Sequence, residues 1–378
     1  MRAQPNRSVA VLGTGSYLPP RVLTNDDLRP LVTNYDEAQS GDFSTWVDRV
    51  THIHRRRYIG DGETAATMGA EAARRALDMA DVRPTELDLI VHASFTPSAI
   101  VPGDHVFVAQ SIGAERTPSF ALTAACAGSI YGLAMAYGLI ASGTMRRILV
   151  IGSETISPTI DFGDPLTAIL FGDGAGAVVL GAVSGGAGGV LPPYLGFEFN
   201  AGNITMNNAN LPFTSRVRVP LANGSPPAIE KEYLRMQSGP SVLRSAVNAM
   251  AEAVLRVLGL GDLDPDGPEA RETLASLRLV PHQANGRIVD GLGKKLGVEE
   301  RRVTKTIYDV GNISAASNVI ALDYAVRHGN LACTRERDTE KILSVSEVRD
   351  PIRKGELVVL PSIGAGYLYG AIAFVHGI

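Results

Sequence analysis

The sequence predicts an α/β fold made of two halves that repeat one another. Two observations carry that reading: short apolar runs alternate with stretches of helical periodicity along the whole chain, and the same order of elements occurs twice. "DLIVHASF" (88–95), "RRILVIGSE" (146–154) and "LRLVPH" (277–282) read as strands buried on both faces. "TAATMGAEAARRALDMA" (64–80) and "SVLRSAVNAMAEAVLRVLG" (241–259) space their apolar residues as amphipathic helices do.

Taken in order, the first half runs helix 64–80, strand 88–95, a short helix near 105–113, helix 126–142, strand 146–152, then "FGDGAGAVVLGAV". The second runs helix 241–259, strand 277–281, helix 285–296, helix 313–328, then "ELVVLPSIGAGYLYGAIAFV". Each half closes on a glycine-rich turn leading into an apolar strand, which reads as a diverged duplication over residues 1–185 and 186–378. "SGGAGG" (184–189) reads as a flexible joint between them. The polar stretch 200–230 and the charged segment 333–350 fall outside the repeat and read as surface excursions.

Bulk properties narrow the class. The chain has 378 residues, 45% of them hydrophobic, enough to bury one large core or two medium ones. A charged fraction of 20% and a net charge of −4 give no reason to expect nucleic-acid binding. Two distant cysteines argue against a disulfide framework and for a reducing cytoplasm. The N-terminal residues lack the apolar stretch of an export signal, and no window approaches the roughly 18 apolar residues of a membrane span. No metal site is expected.

The segment "LTAACAGSIYGLAMAYGLIAS" (122–142) places Cys126 at the head of a buried helix. There a thiol is either inert filling or a nucleophile, because the helix dipole and a nearby imidazole can lower its pKa. His282 ends a buried strand, the edge where open α/β sheets bind ligands, although a satisfied core histidine is the alternative. Asn312 opens the helix that the duplication pairs with the Cys126 helix; it is either a partner at the centre or a simple N-cap. The "GAG" at 364–366 is either a plain hairpin turn or a source of backbone N–H groups that, with the amide of Cys126, make an oxyanion hole. "GDGAG" (172–176) is followed by no helix and is not a dinucleotide site.

Together "AACAGSIYGL", "LFGDGAGAVVL", "VPHQANGRIV", "GNISAAS" and "GAGYLYGA" resemble the β-ketoacyl-[acyl carrier protein] synthase III family of the thiolase superfamily, over roughly residues 8–375. The resemblance implies a five-layered αβαβα fold with a pseudo-twofold duplication, a homodimer, and a triad of Cys126, His282 and Asn312. It implies an oxyanion hole from the amides of Cys126 and Ala365, beside Gly364. The implied reaction moves an acyl group from a thioester to Cys126. His282 and Asn312 then donate hydrogen bonds to the thioester carbonyl of malonyl-acyl carrier protein as it loses carbon dioxide. No cofactor is implied beyond the thioesters of coenzyme A or carrier protein that serve as substrates. Asn312, being neutral, favours decarboxylative condensation over transfer to a hydroxyl acceptor. A thiolase proper would need a second cysteine beside the C-terminal turn, where Ser362-Ile363-Gly364 stands instead, with Cys333 in the charged segment. Acyl transfer without decarboxylation, to an alcohol, amine or water, is the alternative reaction; an acyl-binding scaffold is the alternative without catalysis.

The resemblance also assigns binding positions. Trp46 matches the tryptophan that stacks on the adenine of coenzyme A, with Gly239 as a further substrate position, but Val50 and Pro165 replace the family's arginines. That weakens the expected grip on coenzyme A and leaves a carrier-protein thioester as an alternative donor. The run "HRRR" (54–57) is either a phosphate contact or a solvated strip. Arg287 and Lys294 match positions that receive the acidic carrier protein. Val101 stands where relatives place a bulky residue that enters the partner subunit's acyl pocket, which suggests a longer or bulkier starter than acetyl.

Overall fold

The computed structural model describes residues 7–184, 189–200, 204–206, 234–236, 239–261, 267–339 and 341–377. The strands are β1 (Ser8–Tyr17), β2 (Arg21–Thr24), β3 (Arg55–Tyr58), β4 (Leu89–Ala93), β5 (Ser119–Leu122), β6 (Arg147–Glu154), β7 (Gly174–Val183), β8 (Tyr194–Asn200), β9 (Ile204–Met206), β10 (Leu234–Met236), β11 (Arg278–Leu279), β12 (Asn330–Arg335), β13 (Ile342–Val348), β14 (Leu357–Gly364) and β15 (Gly366–Val375). The helices are α1 (Asn25–Leu28), α2 (Glu37–Ser40), α3 (Phe43–Thr51), α4 (Ala65–Ala80), α5 (Asp104–Ile112), α6 (Gly128–Ala141), α7 (Pro165–Ala168), α8 (Gly239–Val257), α9 (Pro268–Ser276), α10 (Gly286–Leu296), α11 (Ile307–Val310) and α12 (Ser317–Arg327).

Two sheets repeat one topology. The first has the order β1-β7-β6-β4-β5 and the second β8-β15-β14-β11. In each, the two outermost pairings at one end are antiparallel and the next is parallel: β1–β7–β6 then β4, and β8–β15–β14 then β11. A parallel bridge from Leu279 to Val303 occupies the place in the second sheet that β5 takes in the first. Helices α4, α5 and α6 thus have counterparts in α8, α10 and α12.

The alternation of side chains explains the layering. Ile148 and Val150 of β6 face one apolar cluster, with Ile130 and Leu133 of α6 and Val319 and Leu322 of α12. Leu149 and Ile151, one residue out of phase, face another with Met68 and Ala72 of α4 and Val108 of α5. A strand apolar on both faces has to be covered on both. In the second sheet Val358 and Leu360 share the central cluster, while Val359 packs with Met250 of α8 and Val289 of α10. The result is a five-layered αβαβα sandwich, with α6 and α12 buried between the sheets.

Some boundaries differ from expectation. The ladder of the strand expected over 277–282 stops at Leu279, because Pro361 of β14 has no N–H to donate to the carbonyl of Val280, which accepts from Asn318 instead; the amides of Val280 and His282 still bond the carbonyls of Val359 and Pro361. Residues 333–350, expected as a surface excursion, are mostly exposed and carry regular structure. Most of the segment lies in the antiparallel hairpin β12–β13, whose Leu331 and Ile342 are buried against Phe43 and Val47, and the Ile342 amide donates to Asp48. Most of the 200–230 excursion, and residues 185–188 of the joint, lie outside the described residues. Among the described residues no helix is long and apolar enough to cross a membrane.

Candidate active site

Cys126 sits in a sharp turn between β5 and α6. The helix begins at Gly128, two residues later than expected, because Ala125 takes a left-handed φ of 45° and the amides of Ala127 and Gly128 turn back onto the carbonyls of Ala124 and Ala125. The turn that joins β14 to β15 packs onto this elbow. The hydroxyl of Ser362 donates to the carbonyl of Cys126 at 3.0 Å. Gly364 lies flush with the backbone of Ala124 and Cys126, which sets the turn bearing Ala365 against the elbow.

The loop before α12 closes the site from the other half. Gly152 of β6 lets it approach: a Cβ there would stand 2.6 Å from the carbonyl oxygen of Ala315. Asn312 is anchored to the "LFGDGAG" segment through backbone bonds to Leu170 and Gly172. Its Oδ1 accepts from the amide of Ser314 at 2.8 Å and its Nδ2 donates to the carbonyl of Ala284 at 3.2 Å. These partners fix which way the carboxamide points, and among the described residues its second N–H has no acceptor. The Ser314 hydroxyl is fully buried and has no hydrogen-bond partner among the described residues. Ser314, Asn312 and Ala284 thus form one chain of contacts, and Ala284 is two residues from His282.

The electrostatics depart from expectation. The thiol is not made acidic: burial pushes it up to about 11, and the charge of Glu154 adds to it. Burial wins over the helix end because the sulfur lies before the first helical residue, where the dipole falls off. Cys126 as a residue nevertheless keeps some accessible surface. Burial pushes His282 down to about 3, so its ring is neutral, and its Nδ1 has no hydrogen-bond partner.

Glu154 was missed in the sequence reading. Glu154 ends β6 fully buried, and its Oε2 accepts from the hydroxyls of Ser94 and Thr96 at 3.1 and 2.6 Å and from the amides of Phe95 and Thr96 at 3.2 and 3.1 Å. The available signal was one acid at the end of an otherwise apolar run.

The remaining predicted positions lie elsewhere. Trp46, on α3, is half-buried with Tyr35 and Phe43 at ring distances of 4.9 and 6.0 Å. Gly239 opens α8. Arg287 and Lys294 are exposed on α10, seven residues apart and so on one face, and Lys294 lines a groove of about 950 Å³ with Lys295, Arg256 and Arg271. Val101 is 79% exposed at the tip of the loop before α5. "HRRR" is not a free basic strip: Arg56 is fully buried and donates to Asn25 and to the carbonyl of Ile169, and Arg55 and Arg57 pair with Asp309. Among the described residues no cluster could hold a metal ion.

Two family models match the chain, 3-oxoacyl-[acyl-carrier-protein] synthase III over residues 120–196 and its C-terminal part over 275–336. The β-ketoacyl-[acyl-carrier-protein] synthase III of Rhizorhabdus wittichii is 34% identical over 97% of this chain and 99% of its own length. The chain belongs to the β-ketoacyl-[acyl-carrier-protein] synthase III family. It is an acyltransferase of the ketosynthase type with a thiolase-like fold. The synthase III of Aquifex aeolicus superposes with a TM-score of 0.74 at 31% identity, covering 97% of this chain and 100% of that one. The priming β-ketosynthase of the R1128 polyketide pathway superposes with a TM-score of 0.79 at 31% identity, covering 100% and 98%.

Proposed function

We propose that this synthase III joins an acyl thioester to a malonyl thioester by decarboxylative Claisen condensation, with Cys126 carrying the acyl group. The observation that carries the reading is the Gly364 turn packed flush against the backbone of Cys126, a placement that suits the amides of Cys126 and Ala365 to the oxyanion of a tetrahedral intermediate. In the first step Sγ bonds to the acyl carbon, the donor's C–S bond breaks, and the leaving thiol takes up the proton that Cys126 gives up. In the second, the neutral ring of His282 and the spare N–H of Asn312 donate to the thioester carbonyl of malonyl-acyl carrier protein. The malonyl carboxylate leaves as carbon dioxide, its bonding electrons become the enolate, and the enolate carbon attacks the acyl carbon as the bond to Sγ breaks. Neutral donors suit this step, since they stabilise charge that appears only as the bond breaks.

The donor is an acyl thioester on coenzyme A or on a carrier protein. Trp46 already has Tyr35 against it, and Val50 and Pro165 supply no cation, which favours a donor not gripped by its adenine. Arg287 and Lys294 would receive the acidic carrier protein. The enzyme acts as a homodimer, a reading supported by exposed Ile100, Val101, Val106 and Phe107 around one loop and by the edge position of β5. Val101, smaller than phenylalanine, favours a starter larger than acetyl. The test is carbon dioxide release and β-ketoacyl product from malonyl-acyl carrier protein, across acyl-coenzyme A and acyl-carrier-protein donors of graded length. Product with a longer donor supports the reading. Acyl transfer to water or another acceptor without carbon dioxide contradicts condensation, and a strict acetyl preference contradicts the starter assignment.

A further inference from the structure

We propose that Gln283 is a positioning residue: its carboxamide sets the spacing of His282 and Asn312, the two donors offered to the malonyl thioester. The inference rests on the condensation proposed above, in which both side chains donate to one carbonyl. Gln283 is completely buried, and the sequence marks it only as the neighbour of His282. Its Nε2 donates to the carbonyls of Pro281 at 2.8 Å and Thr304 at 3.1 Å. Its Oε1 accepts from the amides of Thr306 at 2.9 Å and Ile307 at 3.0 Å. Carbonyls only accept and amides only donate, so these partners fix which way the carboxamide points, and both its N–H groups and both its acceptor positions are used.

The four bonds close a ring that contains both donors. α11 is a single turn, Ile307–Val310, and it ends at Gly311, the residue before Asn312. The start of α11 has no cap of its own: the side chain of Thr306 makes no capping bond, and its buried hydroxyl has no partner among the described residues. Gln283 supplies the missing acceptor from the other segment. At the far end of the turn Asn312 leads back to where the ring began, its Nδ2 donating to the carbonyl of Ala284, the residue after Gln283. His282, the residue before Gln283, has no partner at Nδ1, so the backbone places its ring. That backbone is held by the His282 amide on the carbonyl of Pro361 and by Gln283 on residues 304–307. An apolar side chain of similar volume would fill the space but leave two carbonyls and two amides buried without their partner. All four are main-chain groups of the two segments that carry the donors, so the loss falls on the spacing between His282 and Asn312.

The test compares wild type with Gln283→Met and Gln283→Asn in two half-reactions: acylation of Cys126, followed by intact mass, and carbon dioxide release from malonyl-acyl carrier protein. Melting temperatures are measured alongside. Methionine keeps the volume without the bonds, and asparagine keeps the carboxamide but one methylene short. Carbon dioxide release is expected to fall by about tenfold to a hundredfold in both variants while acylation holds within about threefold, because a displacement of about 1 Å costs that much where donors must converge on one atom. In an Asn312→Ala background Gln283→Met is expected to lower the residual release no further, since residues that act as a unit are not additive, yet to lower the melting temperature as much as before. Unchanged carbon dioxide release, equal losses in the two half-reactions (complete loss included), or the full Gln283→Met loss repeated in the Asn312→Ala background would each overturn the inference. The wild type separates this inference from the reading beneath it. A wild type that releases carbon dioxide, with variants that match it, defeats only Gln283. A wild type that acylates and releases none defeats the condensation and with it the role of Gln283.

Discussion

Gly364 packs so closely against the elbow of the first half that a methyl group in place of its hydrogen would stand 3.0 Å from the amide nitrogen of Cys126 and 2.8 Å from the carbonyl oxygen of Ala124. All the atoms it meets are backbone, so none can swing aside. This contact sets the distance between the turn bearing Ala365 and the sulfur. Gly364→Ala should push that turn away, displace the Ala365 amide, and lower kcat by about a hundredfold or more. The steady-state rate checks this, and near-normal kcat would detach the turn from the chemistry.

Asn312→Asp should separate the two half-reactions. The substitution replaces the amide that donates to Ala284 with a carboxylate that repels both that carbonyl and a developing enolate. Acyl-Cys126 should still form, while malonyl decarboxylation falls by at least about a hundredfold. Rapid-quench measurement of acyl-enzyme alongside carbon dioxide release resolves the two. Equal losses in both steps would contradict the division of labour.

Glu154→Gln should change the pH dependence of stability in a definite direction. Burial raises the Glu154 carboxyl from 4.5 to about 7, so the folded state holds its proton more tightly than the unfolded chain. The contribution is fully present below about pH 4.5 and is lost as pH rises through 7, amounting to about 3 kcal/mol at most. Melting temperature in the wild type should therefore carry a declining component across that window, and Glu154→Gln should lack it. The same variant removes a charge that holds the Cys126 thiol up, so the pH profile of iodoacetamide alkylation at Cys126 should move to lower pH. An unchanged profile would show that Glu154 serves the Ser94–Thr96 loop alone.

How much of this was legible beforehand follows from the range over which each signal acts. The layered fold was readable because a strand such as 147–154, apolar on both faces, can only lie between two covering layers. Cys126 stood out as one of only two cysteines, and Asn312 and Gly364 as members of short motifs. The direction of the thiol's pKa was misjudged because it depends on burial, which three-dimensional packing sets, and on Glu154, whose place beside the site follows only from the pairing of β4 with β6. The arginines of "HRRR" looked free because their partners, Asn25, Ile169 and Asp309, are distant in sequence. The hairpin over 330–348 was legible only as a charged surface excursion, because only a few of its residues, Leu331 and Ile342 among them, face the core.

The central claim is that an acyl group rests on the sulfur of Cys126, and intact-protein mass after incubation with acyl thioesters of graded length tests it most directly. The account predicts a mass gain of one acyl group on the wild type, mapped to the Cys126 peptide and absent from Cys126→Ala. A gain that persists in Cys126→Ala, or no gain with any coenzyme A or carrier-protein donor, would contradict it.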